Sequence, residues 1–298
     1  MSSLHFKKAA IIGVGLIGGS LAMVLRGKGI ASEIVGIGRG IANLETAKRL
    51  GIVDSFTTDV AEGVRDADLV VVAVPVLKMA GTIRQAAPNL KPGCIVTDVG
   101  SVKGSVIEAV EPLIPKGVHF VPGHPIAGTE NSGAEAAFAE LYIERKCILT
   151  PTPFTDAGAL RAVKAMWEAA GSTVVVMEAP VHDIILAAVS HLPHMIAYTL
   201  VNTVADMDAS GEDVISYSAG GFKDFTRIAS SSPEMWSDIC AMNKGPLIHT
   251  IDAFQKRLEK LKGLIENESY PELKREFERA KGARDSLIKG RKPSKESA

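Results

Sequence analysis

Apolar runs and helix-period segments alternate through the first half of the chain. Ala9–Gly13, Glu33–Ile37, Leu69–Val74 and Ile95–Val99 are short, rich in β-branched residues and almost continuously apolar. That is the pattern of strands covered on both faces. Leu16–Lys28, Ile41–Leu50, Val76–Ala87 and Lys103–Val110, which lie between them, space their apolar residues as helices do. The alternation predicts an α/β fold: a doubly wound parallel sheet with right-handed crossovers. His119–Val121, Lys146–Leu149 and Thr173–Val176 predict further strands, and Asp156–Ala170 a helix between the last two.

The pattern changes near Glu178–Pro180. From there onward no run reads as a strand, and His182–Val204, Pro233–Asn243, Pro246–Glu266 and Pro271–Lys289 predict helices. Ser232-Pro233 is a start signal, with serine as the cap and proline at the first helical position. The expected organisation is a dinucleotide-binding Rossmann domain over 1–178, an all-α domain over 179–290, and a polar tail, 291–298, predicted to be disordered. The apolar faces of the later helices need cover, either from a second copy of the chain or from the α/β domain.

Composition narrows the classes. With 298 residues and 46% hydrophobic content there is ample material for two cores. A net charge of −1 and few aromatics argue against nucleic acid or a membrane surface as partner. Cys94, Cys147 and Cys240 stand far apart, as thiols of a reducing compartment do. No signal-peptide pattern opens the chain, and no uninterrupted apolar run reaches the roughly 18 residues of a membrane span. The expectation is a cytoplasmic protein.

Gly13-Val14-Gly15-Leu16-Ile17-Gly18 fits G-x-G-x-x-G between a predicted strand and helix, the context that makes this motif specific. Gly13 permits a tight turn, Gly15 lets the backbone approach a pyrophosphate, and Gly18 lets helix and strand pack closely. Leu16 and Ile17 open the helix whose N-terminus faces the phosphates. At the end of the second strand, Gly38 stands where an acidic residue would bind the ribose of NAD. Arg39 follows, either facing the 2′-phosphate of NADP or lying solvated on the surface. Val74-Pro75 ends the third strand beside the expected nicotinamide half. Ser101, after the fourth strand, is placed near the reacting centre, as cap of the next helix, or both.

Three further clusters carry polar chemistry. Gly123–Glu130 puts His124 and Glu130 in a glycine-rich segment read as a functional loop, where an imidazole can take a proton near neutral pH. Ser190, His194, Tyr198 and Asn202 recur every four residues on one face of an otherwise apolar helix, with His191 beside them. They are either hydrogen-bonded core residues or the lining of a polar cavity. His191-x-x-His194 lacks a third ligand at metal spacing, so no metal is expected. Pro193 should kink the helix. Gly220–Arg227 gathers Lys223, Asp224 and Arg227 as an anion site or a surface ion-pair loop. Trp236 is an interface anchor or core.

These motifs together, in this order from Gly13 to about Asn243, resemble the prephenate/arogenate dehydrogenase family of tyrosine biosynthesis. The resemblance rests on Gly13–Ser20, Asp98–Gly104, Gly123–Glu130, Ser190–His194, and Gly220–Arg227 with Trp236. It implies a Rossmann domain, a helical dimerisation domain and a cleft between them. It also implies NAD(P)-dependent oxidative decarboxylation of prephenate to 4-hydroxyphenylpyruvate, with arogenate or dual cyclohexadienyl specificity as the alternative. NAD is the family's usual cofactor, whereas Gly38-Arg39 leans toward NADP. By the same resemblance His124 accepts the proton of the ring hydroxyl and Ser101 orients His124 or that hydroxyl. Arg227 binds a substrate carboxylate, with Lys223 adding positive field. His194 and Ser190 lie near substrate and nicotinamide, Glu130 shapes the site and its response to pH, and Trp236 closes the pocket from its own chain or from the partner of a homodimer. Two other readings are a related dehydrogenase of small hydroxy acids, which would use a helical lysine, and a non-catalytic nucleotide sensor.

Overall fold

The computed structural model describes residues 4–209 and 211–289; the tail expected at 291–298 lies outside them. The strands β1 (Phe6–Ile12), β2 (Ala31–Ile37), β3 (Ser55–Thr57), β4 (Leu69–Val72), β5 (Ile95–Asp98) and β6 (His119–Val121) form one parallel sheet in the order β3-β2-β1-β4-β5-β6. Helices α1 (Leu16–Gly27), α2 (Ile41–Arg49), α3 (Val60–Gly63), α4 (Met79–Ala86) and α5 (Gly104–Val110) connect them. The sequence pattern did not show β3 or α3, which are too short to carry a period.

Alternate residues of each strand face opposite sides of the sheet, so two cores form. Ala9, Ile11, Leu69 and Val71 pack with Leu21 and Leu25 of α1 and with Val163 and Trp167 from later in the chain. Ala10, Ile12, Val70 and Val72 pack with Met79, Ile83, Val106 and Val110 of α4 and α5. Burial on both sides is why these strands read as continuous apolar runs.

A second, three-stranded sheet follows: β7 (Gly123–Pro125), β8 (Lys146–Leu149) and β9 (Thr173–Val176), with α6 (Ala157–Ala169) between the last two. β7 is antiparallel to β8, and His124 pairs with Ile148. The segment expected to be a loop is therefore a strand at the residue that matters most.

The remaining described chain is helical apart from one two-residue hairpin, β10 (Asp208–Ala209) with β11 (Glu212–Asp213), which the sequence did not suggest. The predicted helix His182–Val204 is α7 (Ala179–Leu186), a π-turn at Ala187–His191, and α8 (Leu192–Ala205). Pro193 explains the π-turn. Proline has no N–H for the carbonyl four residues back, and its ring crowds that carbonyl, so the helix widens just ahead of it. Gly220–Thr226, read as a loop because of its paired glycines, forms α9. α10 (Pro233–Met242), α11 (Lys244–Glu266) and α12 (Tyr270–Lys289) complete the chain. Ser232 caps α10 through its side chain, as its Ser-Pro signal predicts.

The described chain divides into two compact units, one ending at Leu247 and the other beginning at Ile248. The helices from α7 to α10 thus belong to the same unit as the sheets. The stretch Ala179–Ala205 is long and apolar enough to cross a membrane by length and composition, although polar residues interrupt it, and 22% of its most apolar window is buried within the chain.

Candidate active site

The glycine-rich turn after β1 takes the form its residues dictate. Gly13 has φ +99°, and a Cβ there would lie 2.2 Å from the Ala73 carbonyl oxygen. A Cβ on Gly18 would lie 2.2 Å from the Gly13 oxygen, so α1 can approach the sheet only as glycine. Gly15 is the N-cap of α1 with no side-chain cap, and a Cβ on it would meet nothing. The start of α1 is thus uncapped by a side chain and uncrowded at Gly15, as a pyrophosphate cradle at a helix N-terminus requires. Leu16 is buried, Ile17 and Val74 are half-buried, and Pro75 is exposed. Asn43 braces the turn, donating to the Val14 carbonyl at 2.7 Å and accepting from the Ala134 amide at 2.8 Å. Arg39 is exposed and makes no hydrogen bond or ion pair among the described residues.

His124 lies at the carboxyl edge of the parallel sheet, since the residue before it, Gly123, is hydrogen-bonded to Asp98 at the end of β5. His124 is 8% exposed. Its Nδ1 is 2.8 Å from His182 Nε2, and His182 Nδ1 is 2.8 Å from Asp183 Oδ1. The Asp183 carboxylate also accepts the main-chain N–H groups of Lys103 at 2.9 Å and Gly104 at 2.8 Å. A carboxylate only accepts, so His182 carries its proton on Nδ1. His182 Nε2 is then free to accept from His124 Nδ1–H. This leaves His124 Nε2 with a free lone pair and no partner among the described residues.

The electrostatics agree with that assignment. Burial, followed by the neighbouring His182, Lys103 and His191, holds the His124 imidazolium well below its usual range, so the ring is neutral at physiological pH. Burial pushes the Asp183 carboxyl upward. The hydrogen bonds from His182, Lys103 and Gly104 outweigh it and bring the carboxyl below the usual range, keeping it ionised.

Ser101 is half-buried, and the structure gives it neither expected contact. It makes no hydrogen bond to His124, and it does not cap α5, whose N-cap is Lys103. The Asp183 carboxylate takes the main-chain donors at that helix start, which leaves the Ser101 hydroxyl uncommitted. His182 and Asp183 are the residues the sequence reading missed. They form the polar start of an apolar helix, 58 residues from His124, and adjacent titratable groups at the buried end of such a helix are a signal that demands partners.

Arg227 of the second half meets Glu130 at 3.3 Å, with side chains 64% and 50% exposed. Lys223 is exposed on α9 and Arg227 follows that helix. His194 donates through its Nδ1–H to the Ser190 carbonyl, 2.9 Å away, and its ring stacks on Trp236 at 3.7 Å. Burial, and then Arg227, draws the His194 imidazolium down against the opposing effect of that carbonyl. Trp236 is buried within its own chain, packed against Val102 and Ile239. His191 is bonded to Asn243, which also donates to the Asp183 carbonyl. Among the described residues no three His, Cys, Asp or Glu side chains gather as metal ligands.

Comparisons with known proteins converge on one family. Residues 21–176 match the family model described as prephenate dehydrogenase, nucleotide-binding domain, and residues 178–279 match prephenate dehydrogenase, dimerization domain. A cyclohexadienyl dehydrogenase of Zymomonas mobilis is 39% identical over 95% of this chain and 96% of its own length. The crystal structure of prephenate dehydrogenase from A. aeolicus, in complex with hydroxyphenyl propionate and NAD+, is 40% identical. It covers 96% of this chain and 100% of its own, with a TM-score of 0.91. Synechocystis arogenate dehydrogenase is 30% identical over 94% of this chain and 99% of its own, with a TM-score of 0.80.

Proposed function

The chain belongs to the prephenate dehydrogenase family, and on that premise we propose that it oxidatively decarboxylates prephenate to 4-hydroxyphenylpyruvate, a step of tyrosine biosynthesis, with His124 as the base. The observation that carries this reading is the Asp183–His182–His124 chain, which leaves one bare imidazole nitrogen at the carboxyl edge of a dinucleotide-binding sheet. When bound at the Gly13–Gly18 turn, the nicotinamide cofactor supplies the hydride acceptor. The substrate hydroxyl gives its proton to His124 Nε2 as its carbon is oxidised, and the ring carboxylate departs as CO2. Its electrons complete the aromatic ring. His124 gains a charge in this step. The ionised Asp183, reached through His182, is placed to stabilise that charge, as the carboxylate of a serine-protease triad does.

Arg227, with Lys223 nearby, is the candidate for a substrate carboxylate, because guanidinium holds a carboxylate through two parallel hydrogen bonds. Glu130 is the ion-pair partner of that guanidinium. His194 joins Ser190 by a hydrogen bond and Trp236 by stacking into one group, and the free hydroxyl of Ser101 is available to substrate or cofactor. NAD is the cofactor that the A. aeolicus complex contains; the unpaired Arg39 supports use of NADP as well. A domain boundary near 178, between the two matched family models, is part of this reading. So is a homodimer in the cytoplasm, without nucleic acid or membrane partner. The exposed Val181, Ile184, Ile185 and Val189 on α7 and the π-turn are apolar surface that a second copy would cover.

Initial rates with prephenate and arogenate, each crossed with NAD+ and NADP+, test the reading. Prephenate-dependent formation of reduced cofactor and of CO2 is expected. Turnover of arogenate alone would move the assignment to the arogenate branch, and turnover of neither would end it.

A further inference from the structure

One buried ion pair has no role in the reaction as described. Lys103 is fully buried and Asp98 is 2% exposed, and their side chains are bonded to one another. Taking two opposite charges out of water costs several kcal/mol for each ion, and a matched apolar pair often does as well for stability. A pair of this kind therefore calls for an explanation in what it holds.

It holds Gly123, the residue before His124, by both of its main-chain groups. Lys103 Nζ donates to the Gly123 carbonyl at 2.8 Å, and the Gly123 N–H donates to Asp98 Oδ1 at 3.2 Å. Asp98 Oδ2 accepts the Gly100 N–H at 2.8 Å, which ties down the loop that carries Ser101. The main-chain N–H of Lys103 meanwhile donates to Asp183. The hydrogen bonds close a ring that runs from Lys103 through Gly123, His124, His182 and Asp183 back to Lys103.

We infer that Lys103 is a positioning residue for the oxidation. Its ammonium fixes the main chain next to His124, its own main chain fixes Asp183, and one side chain thereby sets both ends of the proton-accepting array. Asp98 serves as the counter-ion that makes the buried ammonium tolerable. The ammonium is also a charge near the base. The groups that bear on His124 are His182 from α7, with Asp183 behind it, Lys103 from the β5–α5 connection, with Asp98 at the end of β5 behind it, His191 from the π-turn, and the Cys147 thiol from β8. Burial pushes that thiol far up, so it stays neutral. Lys103 is therefore the nearby fixed cation that disfavours protonated His124.

This inference rests on His124 being the base. The test compares Lys103→Met, Lys103→Gln and His124→Asn with the unaltered protein, measuring kcat and KM for prephenate, NAD+ affinity, and the pH profile of kcat/KM. Lys103→Met should lower kcat about 10-fold or more while NAD+ affinity stays within about 3-fold. Its acid limb should move to higher pH, because removing a cation makes the imidazole easier to protonate. Lys103→Gln keeps a donor for Gly123 without the charge. It should recover part of kcat yet retain the shifted acid limb, and it carries the test if the methionine variant does not fold. The inference is overturned if both variants keep the original kcat and profile. It is equally overturned if they lose kcat and NAD+ affinity by the same factor with the acid limb unmoved. If instead His124→Asn turns over normally, the base assignment fails and the role of Lys103 falls with it, a result distinct from the other two.

Discussion

The Asp98–Lys103 pair and the Glu130–Arg227 pair bring the same chemistry, a carboxylate against a cation, into opposite surroundings. The first is buried, and its members also bond the main chain of Gly100 and Gly123. The second is exposed, by 64% at Arg227 and 50% at Glu130, and bonds only itself. A buried pair is costly to rearrange and so holds geometry. An exposed pair is worth about 1 kcal/mol or less and exchanges partners freely. Arg227 can therefore leave Glu130 for a ligand carboxylate, whereas Lys103 has nowhere else to go. On the proposed reading, rigidity lies behind the base and adaptability where a dianion must arrive.

Four measurements would break or sharpen that contrast. The largest effect is expected at the buried end. Replacing His124 with Asn should reduce kcat by about 10²–10⁴, the usual contribution of a general base, while NAD+ affinity is retained. Acid should also act on the buried side. His191 is drawn down to about 4, chiefly by burial, so the unfolded chain takes up a proton there first. Stability contributed by keeping this ring neutral is complete above about pH 6.5 and declines as the pH falls toward 4. The decline is on the order of 3 kcal/mol, and urea unfolding across that range should record it. A flat profile would mean that the buried rings open to water without cost.

Smaller effects belong to the exposed pair. Arg227→Ala should raise KM for prephenate by about 10–100-fold, the worth of charged hydrogen bonds to one carboxylate, with a lesser change in kcat. An effect mainly on kcat would place Arg227 at the reacting centre instead. Glu130→Gln should leave thermal stability within about 1 kcal/mol, as expected of a solvated ion pair. A larger loss would show that this pair is structural after all.

What the sequence revealed follows the same division. The parallel sheet was legible because its strands are buried on both faces and so read as unbroken apolar runs. The turn at Gly13–Gly18 was legible because backbone geometry at Gly13 and at Gly18 admits no other residue. β7 was not, since Gly-His-Pro has little strand character and exists as a strand only through pairing with Cys147–Leu149. α9 was hidden by two glycines at its start. The partnership of His124 with His182 was also illegible. It joins residues far apart in the chain with no shared period, and the family resemblance offered Ser101 as the partner instead. Local rules find what local sterics enforce; a long-range hydrogen bond leaves no trace in one segment.

The π-turn at Ala187–His191 has a consequence for how this chain tolerates length changes. It holds one residue more than an α-helix would spend on the same rise, so α7 and α8 are out of phase by about 100° relative to a continuous helix. His182 and Asp183 lie before the phase shift, and His194 and Tyr198 after it. Deleting Ala188 or Val189 from this turn would remove no polar group from the proposed site. It would restore a regular helix and rotate one set of polar side chains away from the position that the other set now shares with it. Here the spacing between functional groups is itself a functional element, one that a substitution scan would pass over and a single deletion would expose.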